Sequence, residues 1–158
     1  MKKNKPKTNY FSGIIGLEPL KKHLNFLIDA YNESEFLNNI LFSARFGSGK
    51  TTICQLIGKA LIDPDTGKQK KFIRIDCSTL RSVKSFMDQV IFPYCLNNKC
   101  TLFFNEIHLT SKEVLDFLLT MLEYDAHTKS STFSYDGNTY TIHFKGGLVE
   151  YFGRINEC

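Results

Sequence analysis

No stretch of the 158 residues approaches the roughly 18 consecutive apolar positions that a membrane-spanning helix needs. The basic start, Met1-Lys2-Lys3-Asn4-Lys5-Pro6-Lys7, leads into no apolar segment, so it does not read as a secretory signal. The five cysteines (Cys54, Cys77, Cys95, Cys100, Cys158) contain no C-x-x-C pair and no zinc spacing, and the four histidines are scattered. Free thiols fit a reducing compartment, so a cytoplasmic location without membrane attachment is expected. No internal repeat and no low-complexity tract interrupts the chain. Neither charge sign dominates: 20 basic against 16 acidic residues give +4, which permits a polyanionic partner without demanding one.

What is present is core material. Apolar residues make up 42% of the chain and fourteen are phenylalanine, which argues for a packed globule at a length usual for one domain.

The most informative stretch is Ala44-Arg45-Phe46-Gly47-Ser48-Gly49-Lys50-Thr51-Thr52. It follows the short apolar run Ile40-Leu41-Phe42 and precedes an apolar-periodic segment, Ile53 to Leu61. Strand, loop and helix in that order are the context of a phosphate-binding P-loop. Gly47 and Gly49 let the backbone wrap close to phosphates, and the helix that starts near Lys50 offers its positive dipole end to an anion. Lys50 can reach the β- and γ-phosphates, and the Thr51 hydroxyl can ligate Mg²⁺. The first glycine of the G-x-x-x-x-G-K-[ST] pattern is Ala44 here.

Residues 17–31 carry Leu20, Leu24, Leu27, Ile28 and Tyr31 at helical spacing, with Pro19 tolerated in the first turn. Ile40 to Ser43 reads as a buried strand, and Thr51 to Ile62 as the P-loop helix, with Cys54 a small core residue. Lys68 to Lys71 reads as a solvated basic loop. Phe72 to Ile75 is a second strand, residues 80–91 a second helix, and Thr101 to Phe104 a third strand. A third helix spans Ser111 to Leu122, with Ser111 as N-cap and Leu115, Leu118, Leu119 and Leu122 as its apolar face. Alternating strands and helices imply a parallel sheet with helices on both faces. The pattern then changes. Thr132–Tyr135 and Thr139–Phe144 flank Asp136-Gly137, a strong turn signal, and read as a β-hairpin projecting after the third helix.

Phosphoanhydride hydrolysis also needs a group that organises Mg²⁺-bound water and one that orients the attacking water. Both belong at the C-terminal end of a strand facing the P-loop. Leu102-Phe103-Phe104-Asn105-Glu106-Ile107-His108 supplies such a segment. Glu106 is the candidate to orient water. Asn105 stands where an aspartate normally serves the metal, so Mg²⁺ is expected to be held less firmly and turnover to fall.

These residues resemble the AAA+ ATPases, specifically the RuvB-type Holliday-junction branch-migration motors and the related clamp-loader ATPases. Gly13-Ile14-Ile15-Gly16-Leu17-Glu18 before an amphipathic helix is similar to that family's Ile-Gly-Gln-Glu segment, which contacts adenine. Asn105-Glu106-Ile107-His108 is similar to Asp-Glu-Ile-His, and the Asp136-Gly137 hairpin to the one such motors insert at this point.

The resemblance covers roughly residues 10–145 and implies ATP and Mg²⁺ as cofactors. Its nucleotide-binding set is Ile14, Ile15, Gly16, Arg45, Phe46, Gly47, Ser48, Gly49, Lys50, Thr51 and Thr52. Thr51 and Asn105 serve the metal, and Glu106 is the catalytic glutamate. It further implies oligomeric rings acting on DNA.

By this reading residues 1–12 are a basic extension, 13–145 an AAA+ nucleotide-binding domain, and 146–158 an atypical tail. The fold class is an α/β P-loop NTPase, a parallel sheet flanked by helices and incomplete at the C-terminus. The family places a further strand, carrying a polar sensor residue, between the P-loop strand and the Asn105 strand, then an arginine finger and a helical lid. Leu148 to Phe152 could form an inserted strand but does not resemble the sensor strand, and Arg154 reads as a surface arginine. An unfilled slot or exposed edges in the sheet are therefore expected. Two other readings are open: a non-catalytic scaffold subunit, favoured by Ala44, Asn105 and the missing arginine finger, and a small P-loop kinase, disfavoured by the lack of a basic lid.

Overall fold

The structure, a computed structural model, describes residues 8–34, 37–95, 100–123, 127–128 and 130–143, together with the backbone of 151–155. Lys2, Lys3, Lys5 and Lys7 lie outside the described residues, as do Phe144 and residues 146–150 of the tail.

Helix α1 spans Glu18–Ser34 and buries Leu24, Ile28 and Tyr31, one stripe at helical spacing. Helix α2 spans Lys50–Ala60 and buries Ile53, Cys54 and Ile57. These two helices share one core with Phe11, Leu37 and Leu61. Strand β1 (Lys71–Asp76) pairs in parallel with β2 (Cys100–Asn105), in a register that runs from Lys71 opposite Cys100 to Asp76 opposite Asn105.

Alternate residues point to opposite faces of this sheet. Ile73, Ile75, Cys100, Leu102 and Phe104 join the larger core, where Phe104 stacks near Phe86 with ring centroids 6.2 Å apart. On the other face Phe72 stacks on Phe103 at 6.0 Å, beneath α2. Helices therefore cover both faces, as the alternating pattern predicts.

The second helix differs from its expected span of 80–91. A short 3₁₀ turn, Cys77–Thr79, follows β1, and α3 begins only at Val83. Ser82 and Ser85 form a reciprocal capping box that sets this start. The helix then continues as π-turns over Met87–Cys95, which include Pro93. The basic loop is also corrected in part. Lys70 is 2% exposed, with Nζ 5.6 Å from the Tyr31 ring centroid, and Lys71 opens β1. A cation held over an aromatic face keeps its aliphatic stem out of water.

Helix α4 spans Lys112–Leu122, and the Ser111 side chain accepts from the Val114 N–H as expected of its cap. Its buried residues are Val114, Leu118 and Met121, whereas Leu119 is 59% exposed. Part of the expected apolar face thus looks into open space.

Strands β3 (Ser130–Tyr135) and β4 (Asn138–His143) form the antiparallel hairpin around Asp136-Gly137, both with positive φ (48° and 70°). Those angles suit the tight turn that matches strand twist. The hairpin does not project free. Phe133, Tyr140 and Ile142 are buried in the larger core, because one face of each strand is apolar and must be covered. Strand β5 (Tyr151–Ile155) pairs antiparallel with β4, so its backbone extends the hairpin and does not insert beside β2. Among the described residues no helix is long and apolar enough to cross a membrane.

Candidate functional site

The expected buried strand Ile40–Ser43 is not a strand. Residues 37–45 make no ladder, and Leu41 is 81% exposed. A strand needs a neighbour for its backbone groups, and none of the described strands lies beside this segment. What lies there is a groove of about 500 Å³. Leu37 to Phe42 line one side and β2 with α4 the other, including Leu115, Leu119 and Leu122. The half-exposed apolar face of α4 is one wall of this groove. The groove stands where the sequence predicts an unfilled slot.

Lys50, Thr51, Asn105 and Glu106 all line the same groove. Helix α2 brings the first two. Its N-cap is Gly49 in the left-handed region (φ 85°), and no side chain caps its first-turn N–H groups. Gly47 also has positive φ (76°), a conformation that resists other residues. No atom lies within 4 Å of where a Cβ would stand at either glycine, so the loop is open toward solvent. The Lys50 ammonium donates to the carbonyl oxygens of Ala44 (2.8 Å) and Arg45 (2.9 Å), spanning the loop from its far end. Arg45, Phe46, Ser48 and Thr52 are exposed, Phe46 fully so.

Strand β2 brings the other two. Asn105 is its last residue. Glu106 follows with φ 56° and ψ 50°, left-handed backbone that is unusual for a residue with a side chain. Such conformations cost energy and cluster at functional sites. They turn the chain sharply out of the strand into the 3₁₀ turn Ile107–Leu109. That turn sets His108 Nε2 3.4 Å from a Glu106 carboxylate oxygen, a pairing that the scattered histidines of the sequence do not announce.

Ile14, Ile15 and Gly16 do not line the groove. They form the turn before α1, with Gly16 and Leu17 both at positive φ and Ile15 98% exposed. Lys21 Nζ holds this turn through the Ile14 carbonyl at 2.9 Å. A second recess, lined by Lys59, Lys70 and Lys71, contains none of the expected site residues.

The donor set suits a nucleotide with its divalent cation. Backbone amides and one ammonium face an open loop, with a hydroxyl and an amide oxygen at the same end of the sheet. The set is lean in charge, since Asn105 is neutral. The described residues contain no cluster of three or more His, Cys, Asp or Glu that could hold a metal alone.

Residues 40–140 match the family described as ATPase family associated with various cellular activities (AAA). A 114-residue stretch, 72% of this chain, is 30% identical to the Holliday junction branch migration complex subunit RuvB of Campylobacter jejuni subsp. jejuni serotype O:23/36, covering 31% of that protein. A 48-residue stretch, 30% of this chain, is 48% identical to the RuvB subunit of Campylobacter jejuni subsp. doylei, covering 14% of it. The chain thus spans less than a third of the length of these relatives. The match covers well over half of the sequence and includes both groups of groove-lining polar residues: the chain belongs to the AAA family of ATPases.

Proposed function

We propose that this chain is an ATP-binding AAA+ module of RuvB type that couples ATP binding and hydrolysis to DNA remodelling within an oligomer. The observation that carries the reading is that Lys50, Thr51, Asn105 and Glu106 all line one groove that runs along β2. Residues 13–145 form the module, with the basic residues 1–12 and the tail 146–158 as additions. The chain works in the cytoplasm.

In this proposal the N–H groups of Gly47 to Thr52 cradle the phosphates, and the uncapped start of α2 adds its dipole. Lys50 leaves its loop carbonyls to meet the β- and γ-phosphates, a low-cost exchange because its present partners are solvent-facing. Thr51 and Asn105 would hold Mg²⁺, which would supply neutralisation of phosphate charge. Glu106 accepts a hydrogen bond from the attacking water and orients it in line. Arg45, Phe46, Ser48 and Thr52 border the nucleotide, and Ile14 to Gly16 approach adenine.

Asn105 would offer the metal an amide oxygen but no charge, so turnover by this chain alone is slow. A neighbouring subunit supplies what the groove lacks. The lysines at positions 2, 3, 5 and 7 contact DNA phosphates, so affinity falls as salt rises.

A second reading, a nucleotide-binding scaffold subunit of a clamp-loader-like assembly, is favoured by Asn105 and Ala44.

The first test is the melting shift on adding Mg²⁺-ATP. At 100 times its dissociation constant, a ligand adds about 2.7 kcal/mol to stability. The shift is expected in the wild type and absent in Lys50→Ala; a cooperative melt without any shift removes the nucleotide reading. DNA-stimulated ATP hydrolysis that vanishes in Glu106→Gln then separates a motor from a scaffold.

A further inference from the structure

We propose that Asp76 supplies to the metal end of this site the negative charge that Asn105 lacks, accepting hydrogen bonds from metal-bound water one strand away. The inference rests on the nucleotide reading above.

Three observations place Asp76 there. The first is register. Asp76 is the last residue of β1 and stands directly opposite Asn105, the last residue of β2. Neighbouring strands lie about 4.8 Å apart, so the two Cα atoms are close at the same sheet end.

The second is face. In-register partners of a parallel pair project to the same side. Phe72, Arg74 and Asp76 therefore share a face with Thr101, Phe103 and Asn105. The stacking of Phe72 on Phe103 confirms this, while Ile73 and Ile75 turn to the larger core.

The third is the direction of α2. Its Gly58 packs against Phe72 near the start of β1, so α2 covers this same face. Its first residues, Lys50 and Thr51, line the groove that runs along β2 from Thr101 to Asn105. The helix thus runs against the strands. Eight residues of helix from Gly58 to Lys50 cover about 12 Å, and four residues of strand from Phe72 to Asp76 about 13 Å. Thr51 thus lies toward the strand ends, where Asp76 stands beside Asn105, one strand outside the residues that line the groove.

The Asp76 side chain has charge and lone pairs to spare. Its Oδ1 takes both bonds from Ser78, 3.0 Å from the N–H and 2.7 Å from the hydroxyl. Oδ2 takes no bond among those described.

The test compares wild type with Asp76→Asn, which keeps an oxygen for the Ser78 bonds and removes the charge. ADP binding is measured first in EDTA, by calorimetry. Mn²⁺ binding to the ADP complex is then followed by the electron paramagnetic resonance signal of free Mn²⁺. Equal ADP affinity without metal is expected, with Mn²⁺ affinity about tenfold or more weaker in Asp76→Asn, the size usual for a group one shell out from a metal. Adding Asn105→Asp to that variant should restore it. Mn²⁺ affinity unchanged to within about twofold overturns the inference while leaving the nucleotide reading intact. Failure of the wild type to bind ADP at all, with or without metal, overturns the nucleotide reading and this inference with it. Should Asp76→Asn not fold, Asp76→Ser, which also retains a cap acceptor, takes its place.

Discussion

The Phe72 ring lies so close to the backbone of Gly58 that a Cβ at that glycine would stand 2.3 Å from the ring Cδ2. This contact seats α2 on the sheet, and through α2 it sets the height of the P-loop over the strand ends. A side chain at position 58 would lift the helix or displace a ring that is itself stacked on Phe103. Gly58→Ala is therefore expected to destabilise by about 1–3 kcal/mol, the usual cost of overpacking. Helix propensity alone would favour alanine by about 1 kcal/mol. A denaturant midpoint equal to or above that of the wild type would show that α2 is not seated this way.

The hairpin is tied to the body by aromatic rings. Phe133 meets Phe117 of α4 edge-on at 5.0 Å and stacks on Tyr140 at 5.7 Å. Phe92 reaches Tyr140 as well, at 6.1 Å. Phe133 is 6% exposed, so Phe133→Ala leaves a cavity in the larger core. A loss of about 3–5 kcal/mol is expected in equilibrium unfolding. A loss below about 1 kcal/mol would mean that the hairpin folds as a loose appendage.

Cys54, Cys77, Cys95 and Cys100 are free and buried. Burial pushes the Cys54 thiol up to about 11 and the Cys100 thiol to about 11, and raises those of Cys77 and Cys95. Thiolate is the reactive form, so at pH 8 these groups should resist alkylation until the chain unfolds. The rate should rise with pH toward that range. In a Cys158→Ser background, mass spectrometry after iodoacetamide should find almost no label in the native protein and four labels in denaturant. Rapid native labelling of Cys54 would contradict the packing of α2.

Asn105→Asp places a carboxylate at the end of β2, on the groove that Thr51 also lines. On the proposed function, Mg²⁺-dependent ATP turnover should rise, by about tenfold if the charge acts from one shell out. Equal rates for wild type and variant would refute the view that Asn105 limits catalysis.

Much of the local backbone of the candidate site was legible because its signals are local. A glycine pair, a lysine and a hydroxyl at fixed spacing specify a loop and a helix start, since phosphate binding constrains consecutive residues. Asn105-Glu106 at the end of an apolar run was legible for the same reason. Ser111 as a cap and Asp136-Gly137 as a turn act within a few residues of themselves, and both formed as read.

The failures share a different cause. Ile40 to Ser43 has the composition of a strand, yet it has no ladder. Strand formation depends on a neighbour, and neighbours are not encoded in the segment. Leu119 fits a helical apolar stripe, but whether that stripe is covered depends on what stands across the groove. The burial of Lys70 depends on Tyr31, far away in the chain.

By itself, the sequence determined the chemistry on offer and the order of helices, strands and turns. Both follow from side-chain type and short-range spacing. Only the tertiary structure decided that Glu106 leaves its strand in left-handed backbone and that His108 sits beside it. It alone set Asp76 opposite Asn105. Register and packing are settled by contacts between segments distant in sequence, whose energies no single segment contains.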